Sequence, residues 1–452
     1  MSGLSTKPPA SRRSANADVV DIGSPVAAYR ADFESQAGGP EWLNALRRAG
    51  LEQFLRAGFP TMKDEDWHFT SVAPISESTF RLAGASPGIS KRDLSRFALG
   101  LNEWTTLVFL NGRFSAELSS RSSAGEGVRI RSLAAAIAED AEAAHRIGAL
   151  ATPGTNAFVA LNTAFVTDGA LIEISARASV EKPVHLVFVS SDAGVSHPRT
   201  VILAGVNSRC TVIESYVSLG ESKYFTNQVT EIFVDEGARV DHYKLQRESA
   251  SAFHVGTIQA RQLASSQLHS FSYATGGSLS RTNVYTLLDG DGAACTLNGL
   301  YLADGMQHID HQTLIEHVKP NCPSRELYKG VLDGRSHGVF NGKVYVHPEA
   351  QKTDGKQSNN NLLLSATARV DTKPQLEIFA DDVKCTHGAT VGRLDEMAMF
   401  YLNSRGIGPE AARILLTYAF AADVLETIEL EPLKKNLEAL VLARFAGPAA
   451  TG

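Results

Sequence analysis

Cysteine is scarce in this chain of 452 residues, and the four that occur, Cys210, Cys295, Cys322 and Cys385, stand far apart with no Cys-x-x-Cys pair. That pattern excludes a disulfide framework and points to a reducing compartment, here read as the cytoplasm. It also excludes a conventional four-cysteine iron–sulfur cluster held by one local motif, while a transient or shared cluster stays open. Basic charge is not in excess. Lys and Arg number 43 against 49 Asp and Glu, so the net charge is −6, which argues against a nucleic-acid footprint. No apolar run of eighteen or more residues occurs, so no segment reads as a membrane-spanning helix. No apolar h-region stands near the N-terminus, and Ser11 to Ser14 is read as a frayed bacterial terminus in preference to an organelle transit peptide. A Gly-x-x-x-x-Gly-Lys-Ser/Thr phosphate loop is missing too, since Gly338 to Lys343 has the wrong spacing and runs into Val344. If ATP is used, another subunit holds it.

What is present is ordinary globular protein, 43% hydrophobic and 20% charged, too long for one compact core. Residues 1–24 are rich in Ser, Ala, Pro and Arg without periodicity and read as disordered. A helical stripe of Trp42, Leu43, Leu46, Leu51, Phe54 and Leu55 follows, stopped by Gly58 and Pro60. Trp67 is expected to anchor the core of a helical domain over 25–103. Near Thr105 the texture changes. Thr106 to Leu110 and Arg113 to Ser115 flank Asn111-Gly112, the signature of a hairpin, and an Ala-rich helical interlude spans 132–150. Short β-prone runs then follow one another almost to the end of a segment placed at 104–391. Such a length of short strands fits a sandwich, a barrel or a β-solenoid, and only the solenoid grows freely by adding coils. At roughly 20–30 residues per coil, about ten to fourteen coils are expected, with Asn359, Asn360 and Asn361 at a corner. Helical periodicity returns over 392–452, in a short helix from Leu394 to Asn403, a second from Pro409 to Ile428, and a third opened by Pro432.

The stretch from Gln375 to Gly392 stands out. Read as one strand without a bulge, it sets Leu376, Ile378 and Ala380 on one face and Glu377, Phe379, Asp381, Val383, Cys385 and His387 on the other. Cys385 and His387 thus share a face, a thiol and an imidazole suited to iron or zinc, beside a glycine that lets another chain approach. Spacing alone favours the plainer alternative, a packed cysteine beside an exposed histidine.

The residues around that pair carry more. Val370 to Gly392, Ala350-Gln-Lys-Thr-Asp354, Phe400 to Ile407 and Gly58 to Thr70 together resemble the SufB/SufD family of the SUF iron–sulfur cluster assembly machine, densely from about His308 to Phe420. Cys385-Thr-His-Gly-Ala-Thr390 matches the SufD side, where SufB generally reads Glu-His-Glu-Ala; Thr386 replaces a serine common among relatives. The resemblance implies a right-handed parallel β-helix between helical ends. It implies a non-enzymatic scaffold partnered by a SufB-like paralogue and a SufC-like ABC ATPase, with a transient cluster shared with SufB and no ATP on this chain. On that footing His387, with Cys385, would be cluster ligands at the SufB junction, and Leu416 and Phe420 would help dock the ATPase. A reduced flavin on the complex and a homodimer of the isolated chain are left open by the resemblance. A SufB-like paralogue is the neighbouring alternative.

Two other groupings were weighed. His308, His311 and His317 look metal-binding, but positions three apart in a strand face opposite ways, which favours buried structural roles. Arg325, Glu326, Lys329 and His337 could furnish acid–base pairs for a β-helix carbohydrate-active enzyme, although such enzymes generally meet extracellular polymers.

Overall fold

The computed structural model describes residues 25–35, 38–84, 88–97, 99, 104–120 and 125–446; the expectation for residues 1–24 lies outside them. Its centre is a parallel β-solenoid whose coils each give one strand to either of two ten-stranded sheets. Strands of nine or ten residues stack in parallel register, so that Phe253 lies beside Leu279, 26 residues on, and His337 beside Arg369, 32 residues on. The repeat lies at the upper end of the expected roughly 20–30 residues, and the coils are fewer than expected. One sheet runs through eight coil strands, from Gly169–Ile174 to Arg369–Ile378, giving about eight turns where ten to fourteen were expected. The reason is that the described residues of 111–168, counted into the segment, add antiparallel strands and helices but no coil.

Turn chemistry was legible. Asn111 and Gly112 take φ of 47° and 80°, closing the antiparallel hairpin of Thr105–Leu110 with Arg113–Ser120. The first of these strands then pairs in parallel with Val184–Ser190 and starts the sheet. The asparagine triplet corrects an expectation, because Asn359 to Asn361 lie inside the strand Asp354–Leu363 and not at a corner. Asn359 and Asn361 point inward, where the Asn361 amide donates to Asn359 Oδ1 at 2.6 Å and Asn361 Oδ1 accepts from the Tyr301 hydroxyl. Buried amides of this kind hold register because each must find its partner.

Helices flank the solenoid. Glu41–Ala57 ends at Gly58 as its pattern predicts, and Gly50 lets it press on the helix Ala157–Phe165, where an added Cβ would sit 2.7 Å from the Ala164 nitrogen. That second helix was not foreseen. The Ala-rich interlude is helical only over Leu133–Ala138, with a 3₁₀ turn at Glu142–Arg146. Trp67 anchors as expected, its ring against Phe158 and 3.7 Å below the Arg281 guanidinium. Arg281 also binds Asp310 and the Asp66 carbonyl, each at 2.7 Å, fastening the N-terminal segment to the sheet. The C-terminal helices Glu396–Ser404, Pro409–Leu425 and Glu431–Ala446 follow the expected breaks. Val424, Leu425, Leu433, Leu437 and Val441 cover Leu245, Phe271, Tyr273, Leu300 and Val331 on the outer face of the other sheet.

Candidate functional site

The solenoid ends abruptly. Among the described residues Arg369–Ile378 pairs only with His337–Val346 and Lys384–Gly392 only with Asp354–Leu363, so both final strands present an edge unpaired by them. The two are separate strands in different sheets, which corrects the single strand expected from Gln375 onward. Ala380 to Val383 form the corner between them, and Lys352 reaches across it to the Asp382 carboxylate. Ile378, Phe379 and Val391 stand exposed at this end. Such an edge ordinarily pairs with another chain or is actively protected.

Parallel register fixes what the last strand carries. In Asp354–Leu363 the inward positions are Gly355, Gln357, Asn359 and Asn361, all buried. Register passes the same alternation to Cys385, His387, Ala389 and Val391 on the final rung. Cys385 and His387 therefore share the inward face, as read from their spacing, with Cα atoms about 7 Å apart in an extended strand. No described residue stacks beyond them as a further strand.

Their surroundings differ. Cys385 is half-buried beside Leu376 and Val383, over a small apolar group of Val344, Val346, Ala350 and Ala380. Gly355 below it leaves room, since a Cβ there would meet the Cys385 sulfur at 3.3 Å. Burial pushes the thiol pKa above its ordinary value, against a backbone hydrogen bond from Gly355 that pulls it down. The resting group is a thiol, and a bound cation would have to displace its proton. His387 is exposed. Among the described residues no three His, Cys, Asp or Glu side chains converge on a metal position. This rung offers two donors.

Below the rung the interior is polar. Gln357, in register between Glu326 and His387, donates from Nε2 to Glu326 Oε2 at 2.6 Å. Glu326 is buried, and burial pushes its pKa up to about 7, with Thr313 and Gln357 opposing. Sequence pattern groups Glu326 only with Arg325, Lys329 and His337 as acid–base candidates, and the structure separates these four. Arg325 faces out to Asp354 at 2.5 Å, Lys329 lies under a C-terminal helix at 2.6 Å from Asp423, and His337 binds Asp371 at 2.7 Å. Gln357 itself was missed. Its signal is the coil period, which places residues 326, 357 and 387 at steps of 31 and 30.

The remaining histidines are dispersed as strand alternation requires. His308 contacts Thr70 Oγ1 at 2.8 Å, His311 is buried between Tyr301 and Tyr328, and His317 meets Ser324 Oγ at 3.0 Å. Leu416 and Phe420 lie half-buried on Pro409–Leu425. Phe420 faces the solenoid, with the Lys329 ammonium 4.5 Å from its ring. On the three C-terminal helices the large apolar side chains that do face solvent are Met397, Phe400, Tyr401, Leu415 and Leu442.

Comparison with known proteins supplies the context. Residues 187–420 match the family described as SUF system FeS cluster assembly, SufBD core domain, and residues 30–186 match the SufBD protein N-terminal region. The chain is 34% identical to the iron–sulfur cluster assembly protein SufD of Escherichia coli, over 88% of this chain and 92% of that one. It is 28% identical to SufD of Bacillus subtilis, over 91% and 96%. A chloroplastic protein of Arabidopsis thaliana, ABCI7, is 30% identical over 85% and 82%. With both family regions matched in order along one β-solenoid, the chain belongs to the SufB/SufD family of iron–sulfur cluster assembly proteins.

Proposed function

We propose that this chain is a non-enzymatic scaffold subunit in the cytoplasm, on which a cluster is built at a junction with a SufB-like paralogue. The carrying observation is the open final rung, where Cys385 and His387 project from an unpaired edge with exposed Ile378, Phe379 and Val391 around them. Two donors are too few for a closed tetrahedral iron site, so a partner strand seated on this edge would supply the rest. The cluster is cargo on this reading. His387 is the better ligand of the pair, because a neutral imidazole holds iron yet leaves more readily than a thiolate. Cys385 lines the site or binds directly once iron lowers its proton affinity. Energy from ATP would enter through a SufC-like ATPase docked on the C-terminal helices.

His387→Ala in the assembled complex tests this. We expect assembly and thermal unfolding to be unchanged and the iron content after anaerobic purification to fall sharply. Unchanged iron in a well-folded His387→Ala complex removes His387 from the site. A complex that becomes scarce or heat-labile would instead show a packing role.

A further inference from the structure

The polar column beneath the final rung has a free end. The Gln357 amide donates from Nε2 to Glu326 Oε2, as it must to the ionised carboxylate present above about pH 7, and its carbonyl oxygen is left over. That oxygen is buried and finds no hydrogen-bond partner among the described residues. An orphaned acceptor out of reach of water is costly and calls for an explanation. The amide is also held in place. Gly342 on the opposite sheet opens the space it fills, since a Cβ there would collide with Gln357 Nε2 and with the Phe340 ring. The next side chain on this column, one strand spacing outward, is His387.

We propose that Gln357 is a positioning residue for His387: the exposed imidazole turns in to donate one N–H to this oxygen, which fixes the ring nitrogen left for iron. The proposal rests on the ligand reading of His387. Glu326 sets the direction of the relay, because it engages the Gln357 NH₂ and leaves the oxygen as the free acceptor. Histidines that bind metals generally donate their second N–H in this way, and losing such a partner weakens metal affinity by roughly 10- to 100-fold. A ring on an exposed rung, with no neighbour beyond it, has more need of this than a buried one.

The test uses the full-length chain with ¹⁵N-labelled histidine, and His387→Asn identifies the signals of that ring. We expect one fixed tautomer in the unaltered chain and the mixture of a free imidazole in Gln357→Met, which keeps length and loses the acceptor. Gln357→Glu keeps an acceptor and restores the fixed tautomer. Thermal unfolding of each variant is followed in parallel, so that a tautomer change at constant stability marks positioning and not packing. Identical His387 ring signals in the unaltered chain and in Gln357→Met overturn the proposal. Iron content of the assembled complex separates the two readings. Iron lost in His387→Ala with no tautomer change in Gln357→Met removes this proposal alone. A Gln357-dependent tautomer with iron unchanged in His387→Ala keeps the hydrogen bond and removes its purpose.

Discussion

A single carboxyl carries the clearest pH signature in the molecule. Glu326 is buried one rung below Gln357, and its pKa rises from 4.5 to about 7. Between those values the folded chain holds a proton that the unfolded chain releases. Stability from this group therefore falls as pH rises through that window, by roughly 3 kcal/mol in all. Glu326→Gln removes the dependence while keeping an acceptor for Gln357. We expect urea midpoints of the unaltered chain and Glu326→Gln to lie close together near pH 5. Near pH 8 the variant should be the more stable, by about that amount. A constant difference across the range would show that Glu326 does not titrate there. At this scale the sequence was partly legible. Cys385 and His387 announce themselves by residue type and spacing two apart. Gln357 and Glu326 do not, because their relation to His387 spans a coil and appears only once the repeat is known.

Elements were legible where chemistry marks their ends and opaque where it does not. Asn111-Gly112, Gly58 and Pro409 each force a backbone state, and each stands where expected. The coil count failed because nothing in residues 111–168 marks them as antiparallel strands and helices that add no coil. The helix Pro409–Leu425 shows a third case, in which periodicity gives a face but not its direction. Leu416 and Phe420 were expected to meet an ATPase, yet Phe420 packs on the solenoid while Leu415 points to solvent. The two sides make opposite predictions. Phe420→Ala should cost about 1–3 kcal/mol of stability, less than for a fully buried phenylalanine. Phe400→Ala and Leu415→Ala should change stability by no more than about 0.5 kcal/mol and yet weaken co-elution with a SufC-like ATPase. Binding lost in Phe420→Ala at full stability, with Phe400→Ala and Leu415→Ala silent, would restore the docking role first assigned to Phe420. Point variants serve better than removing the helices, since Leu245, Phe271, Tyr273 and Val331 would be uncovered.

At the scale of the whole molecule the solenoid is closed on its flanks and open at its end. Helices cover one sheet near its start and the other near its finish, while the strands Arg369–Ile378 and Lys384–Gly392 are left without neighbours on their outer edges. Repeat structures of this kind usually need a terminal cap to stay apart from one another. The exposed Ile378, Phe379 and Val391 make this edge adhesive, so an isolated chain should satisfy it with a second copy of itself. Sedimentation of the purified chain is expected to show a dimer, and Val391→Lys, which sets a charge on the edge, should give a folded monomer. A dimer that survives Val391→Lys would move self-association to another surface. The same variant should lower yield of the complex with the SufB-like paralogue, because both partners would compete for one edge. A dimer on this edge would bring four donors together, but two of them would be readily displaced imidazoles, which hold a cluster less firmly than four thiolates. Iron and sulfide analysis of the anaerobic dimer is therefore expected to find no stable cluster, and a stoichiometric cluster there would show that this chain alone completes the site.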